Sequence, residues 1–154
     1  MTRLALAIIH LLGFGVGLGA IAARASWLSR VGRDAQALPR AFVADNWWGI
    51  SALLSVGTGL WRALAGTEKS AAYYWGQPVF WSKMGLLTAI LLLELWPMIT
   101  LIRWRIAAAR QQLPEAAQLA AASRRFAWIS RAQLVLLVAM VTLATMLARG
   151  YGMR

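Results

Sequence analysis

The run from Phe80 to Ile102, FWSKMGLLTAILLLELWPMITLI, carries Lys83 and Glu94 inside a stretch otherwise apolar enough to cross a bilayer. About 20 helical residues at ~1.5 Å each match a ~30 Å hydrocarbon core. Eleven positions at ~100° per residue return a helix to within about 20° of its starting angle. Lys83 and Glu94 therefore share one stripe, roughly 16 Å apart along the axis, too far to pair with each other. A charge at the centre of a membrane helix costs about 2.5–3.5 kcal/mol on insertion scales. The stripe has to face protein, water or a bound polar group, and the rest of the chain has to supply that environment.

Composition agrees with a membrane setting. The chain has 154 residues, of which 60% are hydrophobic and 14% charged, where a soluble domain carries about 25% charge. Mean hydropathy is +0.60. The reading is a single integral membrane domain over residues 1–154, with the lipid bilayer as its main partner. The absence of cysteine excludes disulfides, thiolate catalysis and Cys-ligated metals. A net charge of +11 would suit nucleic acid. The arginines, however, lie between apolar runs, where orientation and anionic lipid explain them, so no nucleic-acid role is assigned. Most of the nine tryptophans flank those runs, as an interfacial belt does.

Four spans emerge, at about 4–23, 46–64, 80–102 and 132–147. The first resembles a secretory signal in its Arg3, apolar run and small residues Ala20, Ala22 and Ala23, but it is longer than a typical signal core and is read as a membrane helix. Backbone in lipid must satisfy its own hydrogen bonds, so each span is helical. The fold class is all-α, a four-helix transmembrane bundle. The linkers after the first and third spans carry ten basic residues against five on the opposite side, which places both linkers in the cytoplasm and both termini outside, on the periplasmic side of a bacterial inner membrane.

The long linker reads as a protruding helical hairpin. Ala107–Gln112 continues the third helix, Pro114 suits the first turn of the next, and Glu115 suits its positive end. Ser26–Leu38 is expected to form a short interfacial helix, and Ala71–Trp81 a ring-rich outer loop. Pro97 should bend the third helix.

His10 is the single histidine, about six residues into the first span from the outer face. Lys83 enters the third span from the same face, and Arg62 and Arg149 end the second and fourth spans there. A positive rim around one imidazole suits an anionic planar cofactor such as haem b, with His10 on the iron and Lys83, Arg62 or Arg149 on the propionates. Gly13 and Gly17 share the face of His10 and would let a flat ring approach the backbone. The competing reading is helix packing, for which Gly13/Gly17, Gly15/Gly19 and Ser51/Ser55/Gly59 all have small-xxx-small spacing. A second axial ligand would be Met84, Met98, Met140, Met146, a second subunit's His10, water or none. His10 is equally consistent with a neutral imidazole bonded to a neighbouring helix.

On the cytoplasmic half, Glu94 is expected to meet Arg131 and Gln133 at the start of the fourth span, either in a proton relay or polar cavity or as an ion pair that fixes helix register. With Lys83 they form a buried polar stripe. No Ser-His-Asp set, paired carboxylates or His-rich cluster occurs, so hydrolysis and a zinc site are not expected.

The segments Ile9-His10-Leu11-Leu12-Gly13, Asp45 with Trp48-Gly49, Glu68-Lys69 with Ala72-Tyr73-Tyr74, Phe80-Trp81-Ser82-Lys83, Glu94-Leu95-Trp96-Pro97-Met98, Ile129-Ser130-Arg131 and Ala148-Arg149-Gly150 resemble an uncharacterised family of small bacterial inner-membrane proteins. More distantly, His10 and the approach from Trp81 to Lys83-Met84 resemble the HemJ-type protoporphyrinogen oxidases, which implies haem b on the first-helix histidine. The chain also resembles the CopD-like membrane proteins, whose copper-binding histidines and methionines are not evident here.

Two functional expectations follow. In the first, the protein binds haem b or a porphyrin and, if it is an enzyme, performs a redox step on a porphyrin or quinone. In the second, it is a non-enzymatic scaffold or assembly subunit whose buried charges fix helix packing. Heavy aromatic and glycine use suits a homodimer.

Overall fold

A computed structural model describes residues 2–65 and 75–149. They form four helices, α1 (Thr2–Leu28), α2 (Ala37–Leu64), α3 (Pro78–Ala109) and α4 (Ala116–Ala148). Three of them, α1, α3 and α4, are long and apolar enough to cross a membrane. The Trp, Gly, Ser and Arg content of α2 leaves it less apolar, although its 28 residues are ample for a crossing. Most large apolar side chains of the spans point outward, among them Leu11, Leu53, Leu92 and Val135. An outward apolar surface of this extent is what lipid solvates.

Helix packing is tight on three sides. α1 lies against α2 and α4, and α4 lies against α3, whereas α2 and α3 meet only sparsely and α1 never closely approaches α3. The four-helix bundle is therefore loose along one side, and long polar side chains bridge it.

Helix boundaries depart from the expected spans where no stop signal exists. α1 runs on through Ala25-Ser26-Trp27-Leu28, so Arg24 is inside the helix and not in a linker. Ser26–Leu38 forms no separate interfacial helix, because turns from Ser29 to Gln36 join α1 to α2. Gly32 sits there at φ +90°, a left-handed conformation that favours glycine. The hairpin between α3 and α4 is present, with Gln111 at φ 56° in its turn and Pro114 just ahead of α4. Pro97 is buried within α3, which remains one continuous helix. Of the ring-rich loop, residues 71–74 lie outside the described part; Trp75, Phe80 and Trp81 cluster with centroids 5.3–6.2 Å apart.

The interior is layered. One apolar cluster unites Leu28, Ala37, Leu38, Ala41, Leu101, Trp104, Phe126 and Ala127 at the linker end. A second unites Ala20, Ile21, Trp48, Ile90 and Leu137 on the far side. Between these two sets each helix also places polar side chains in the interior: Arg24, Asp45, Glu94, and Ser130 with Gln133.

Candidate functional site

Arg24 is completely buried at the centre of that polar layer. A guanidinium has five N–H donors in a fixed fork and cannot be deprotonated in proteins. Here all five are used. Nε donates to Ser130 Oγ at 3.1 Å. Nη1 donates to Asp45 Oδ1 at 2.8 Å and to Glu94 Oε1 at 2.6 Å. Nη2 donates to Glu94 Oε2 at 2.7 Å and to Gln133 Oε1 at 2.9 Å. The Glu94 contact is bidentate, the strong geometry for a charge-assisted pair.

The acceptors are themselves held. Gln133 Nε2 donates to Glu94 Oε2 at 2.8 Å and to the Ile90 carbonyl at 3.2 Å. The Ser130 hydroxyl donates to the Phe126 carbonyl at 2.9 Å. Across the loose side, Arg105 donates from Nη2 to Asp45 Oδ2 and to the Phe42 carbonyl, both at 3.2 Å, and from Nη1 to Asn46 Oδ1 at 2.7 Å. Two arginines and two carboxylates make the layer neutral overall. Removing one member of a buried pair costs about 3–5 kcal/mol, because the other charge is left without compensation.

Several expected site residues fall elsewhere. Arg131 does not reach Glu94; it is exposed, with its guanidinium carbon 5.1 Å from the Trp128 ring centroid. Arg24 takes the role expected of it, and Gln133 keeps its own. Lys83 is half-buried and lies within electrostatic reach of Arg62, not of Glu94. Arg149 is exposed just beyond α4, in a shallow hollow with Thr145 and Met146.

His10 faces α2. Its Nδ1 lies 3.0 Å from Thr58 Oγ1, whose own proton goes to the Leu54 carbonyl at 2.6 Å. With the Thr58 proton on the Leu54 carbonyl, this geometry suits donation from His10 Nδ1–H. The ring abuts Gly59, where an added Cβ would stand 3.1 Å from Cε1. The Gly13 and Gly17 face is filled by the same helix: a Cβ there would meet Ser55 Oγ and Ser51 Oγ, each at 3.0 Å. Helix α2 covers this face of α1, and the imidazole packs at the α1–α2 contact.

Among the described residues, no group of three or more His, Cys, Asp or Glu side chains is placed to hold a metal ion.

Sequence reasoning missed Arg24, Asp45 and Arg105. A signal for the last existed: Arg105 follows Glu94 by eleven positions, as Glu94 follows Lys83, so all three share one stripe of α3.

Comparison with known proteins agrees with the membrane architecture. No curated protein and no solved structure matches the chain, so the distant resemblance to HemJ-type and CopD-like proteins finds no support. A family model described as "Predicted membrane protein (DUF2214)" matches residues 2–152. With nearly its whole length matched, and with helices that present apolar surface outward around a buried charge layer, the chain belongs to this DUF2214 family of multi-pass membrane proteins.

Proposed function

We infer that the protein is a non-enzymatic membrane scaffold or assembly subunit, in which the charge layer fixes the helices in one register. The observation that carries this reading is the saturation of Arg24: each of its five N–H groups has an acceptor, drawn from all three other helices. A group that works in proton transfer or ligand binding needs a vacancy for its reactant. Arg24 has none, and apolar clusters lie on both sides of it. Buried polar networks of this kind specify one arrangement over its alternatives when their members are satisfied, as the five donors of Arg24 are, although at the edge of the layer Arg105 Nε is buried without a partner among the described residues.

The test is a spectrum combined with an unfolding measurement. Protein purified in detergent from haem-replete cells is expected to show no Soret band, and Arg24→Met is expected to unfold far more readily than wild type. A Soret band that disappears in His10→Ala would replace this reading with haem b on His10. An Arg24→Met protein as stable as wild type would remove the lock itself.

A further inference from the structure

A groove of about 400 Å³ runs along the outside of the α1–α2 pair. Its walls are Val16, Gly19, Ala20 and Ala23 from α1 and Val43 and Trp47 from α2, and Trp27 and Arg40 stand at its linker end. The walls are apolar and mostly small. From Val16 to Trp27 the groove covers about 16 Å along α1, half of a ~30 Å hydrocarbon core and so the depth of one leaflet. Its mouth is strongly basic. The guanidinium carbon of Arg30 lies 4.9 Å from the Trp27 ring centroid, and that of Arg40 lies 4.6 Å from the same centroid.

Two like charges brought to one indole repel each other, and stacking offsets only part of that cost. Among the described residues neither arginine makes an ion pair. The nearby acid, Asp34, accepts the Gln36 backbone N–H at 2.8 Å. An anion beside Trp27, within reach of both guanidiniums, would relieve the repulsion. An apolar slot one leaflet deep, ending at an indole that carries two cations, is complementary to one molecule in particular. We propose that this groove is a binding site for an anionic phospholipid, its phosphate held by Arg30 and Arg40 beside Trp27 and one acyl chain lying along Gly19, Ala23 and Val43. The site goes beyond the scaffold reading and does not depend on it. It makes the protein selective among lipids of the leaflet that faces its basic linkers.

The test uses the full chain in phosphatidylcholine vesicles containing spin-labelled phosphatidylglycerol or spin-labelled phosphatidylcholine. The fraction of each label immobilised by the protein is read by electron paramagnetic resonance. Wild type is expected to prefer the anionic label. Arg30→Gln and Arg40→Gln should each weaken that preference by about fivefold. The pair Arg110→Gln and Arg124→Gln, basic residues of the same end but away from the groove, should leave it nearly intact. Gly19→Leu, which fills the slot, should lower immobilisation of the anionic label with both arginines present. Equal losses from the two arginine pairs would mean diffuse attraction and no site. A wild-type dimer that Gly19→Leu converts to monomer, with lipid preference unchanged, would assign the groove to a second copy of the chain. Either result overturns the proposal.

Discussion

Arg24 and Glu94, seventy positions apart in the chain, face each other with both teeth engaged: Nη1 to Oε1 at 2.6 Å and Nη2 to Oε2 at 2.7 Å. The pair ties α1 directly to α3, helices whose backbones do not approach closely. The pair spans the interior between two apolar layers, so its strength depends on low local dielectric as well as on geometry.

Arg24→Met is expected to lower stability by about 3–5 kcal/mol, because it strands Glu94 and leaves Asp45 with Arg105 alone. Glu94→Gln should cost less. The two changes together should fall short of the sum of the separate losses by about 0.5–3 kcal/mol. Equilibrium unfolding in mixed micelles measures all three, and strict additivity would remove the proposed contact.

Two glycines on α1 should respond in opposite ways. Gly17→Leu meets Ser51 and Trp48 and should cost about 1–3 kcal/mol as an overpacked helix contact. Gly15, two residues away, has open space around its missing Cβ, so Gly15→Leu should stay within about 0.5 kcal/mol of wild type. Thermal melts of the two variants in one detergent compare them directly. The reverse order of sensitivity would mean that α1 is rotated.

Arg105 is the polar bridge over the loose side of the bundle. Arg105→Gln should loosen the linker end of α2 and speed amide exchange over residues 41–46 by about fivefold, corresponding to a hydrogen-bond contribution near 1 kcal/mol. Exchange in the middle of α1 should not change. Uniform acceleration across all four helices would show that Arg105 acts on the whole fold and not on that seam.

The orientation rests on charge distribution. Since the native chain lacks cysteine, single introduced thiols report without background. In intact cells a membrane-impermeant maleimide should label Ala65→Cys and spare Gln112→Cys, with both labelled after lysis. Labelling of Gln112→Cys alone would invert the topology.

The helices were legible in the sequence because apolar runs and basic linkers are local signals. Glu94 and Gln133 were legible as partners for the same reason, each being a polar residue deep in such a run. Arg24 was not. It stands where an apolar run meets three further arginines, and charge alone assigns it to the linker. Only the absence of any helix stop before Gly32 marks it as intrahelical. Gly13 and Gly17 posed a different difficulty. Their spacing favours a neighbouring helix over a flat ligand, but which helix covers that face is a tertiary fact that spacing does not carry.

The layered interior has a consequence for how the chain is made. Asp45 emerges 21 residues after Arg24, but Glu94 emerges 70 residues after it. At about 5–20 residues per second, translation leaves the arginine without its bidentate partner for roughly 4–14 s. During that interval α1 and α2 supply one carboxylate for the buried cation, and the guanidinium donors that later meet Glu94, Ser130 and Gln133 must be met by something outside the chain's final partners. The third helix brings both Glu94 and Arg105, so it supplies the bidentate acceptor of Arg24 without changing the charge balance of the layer.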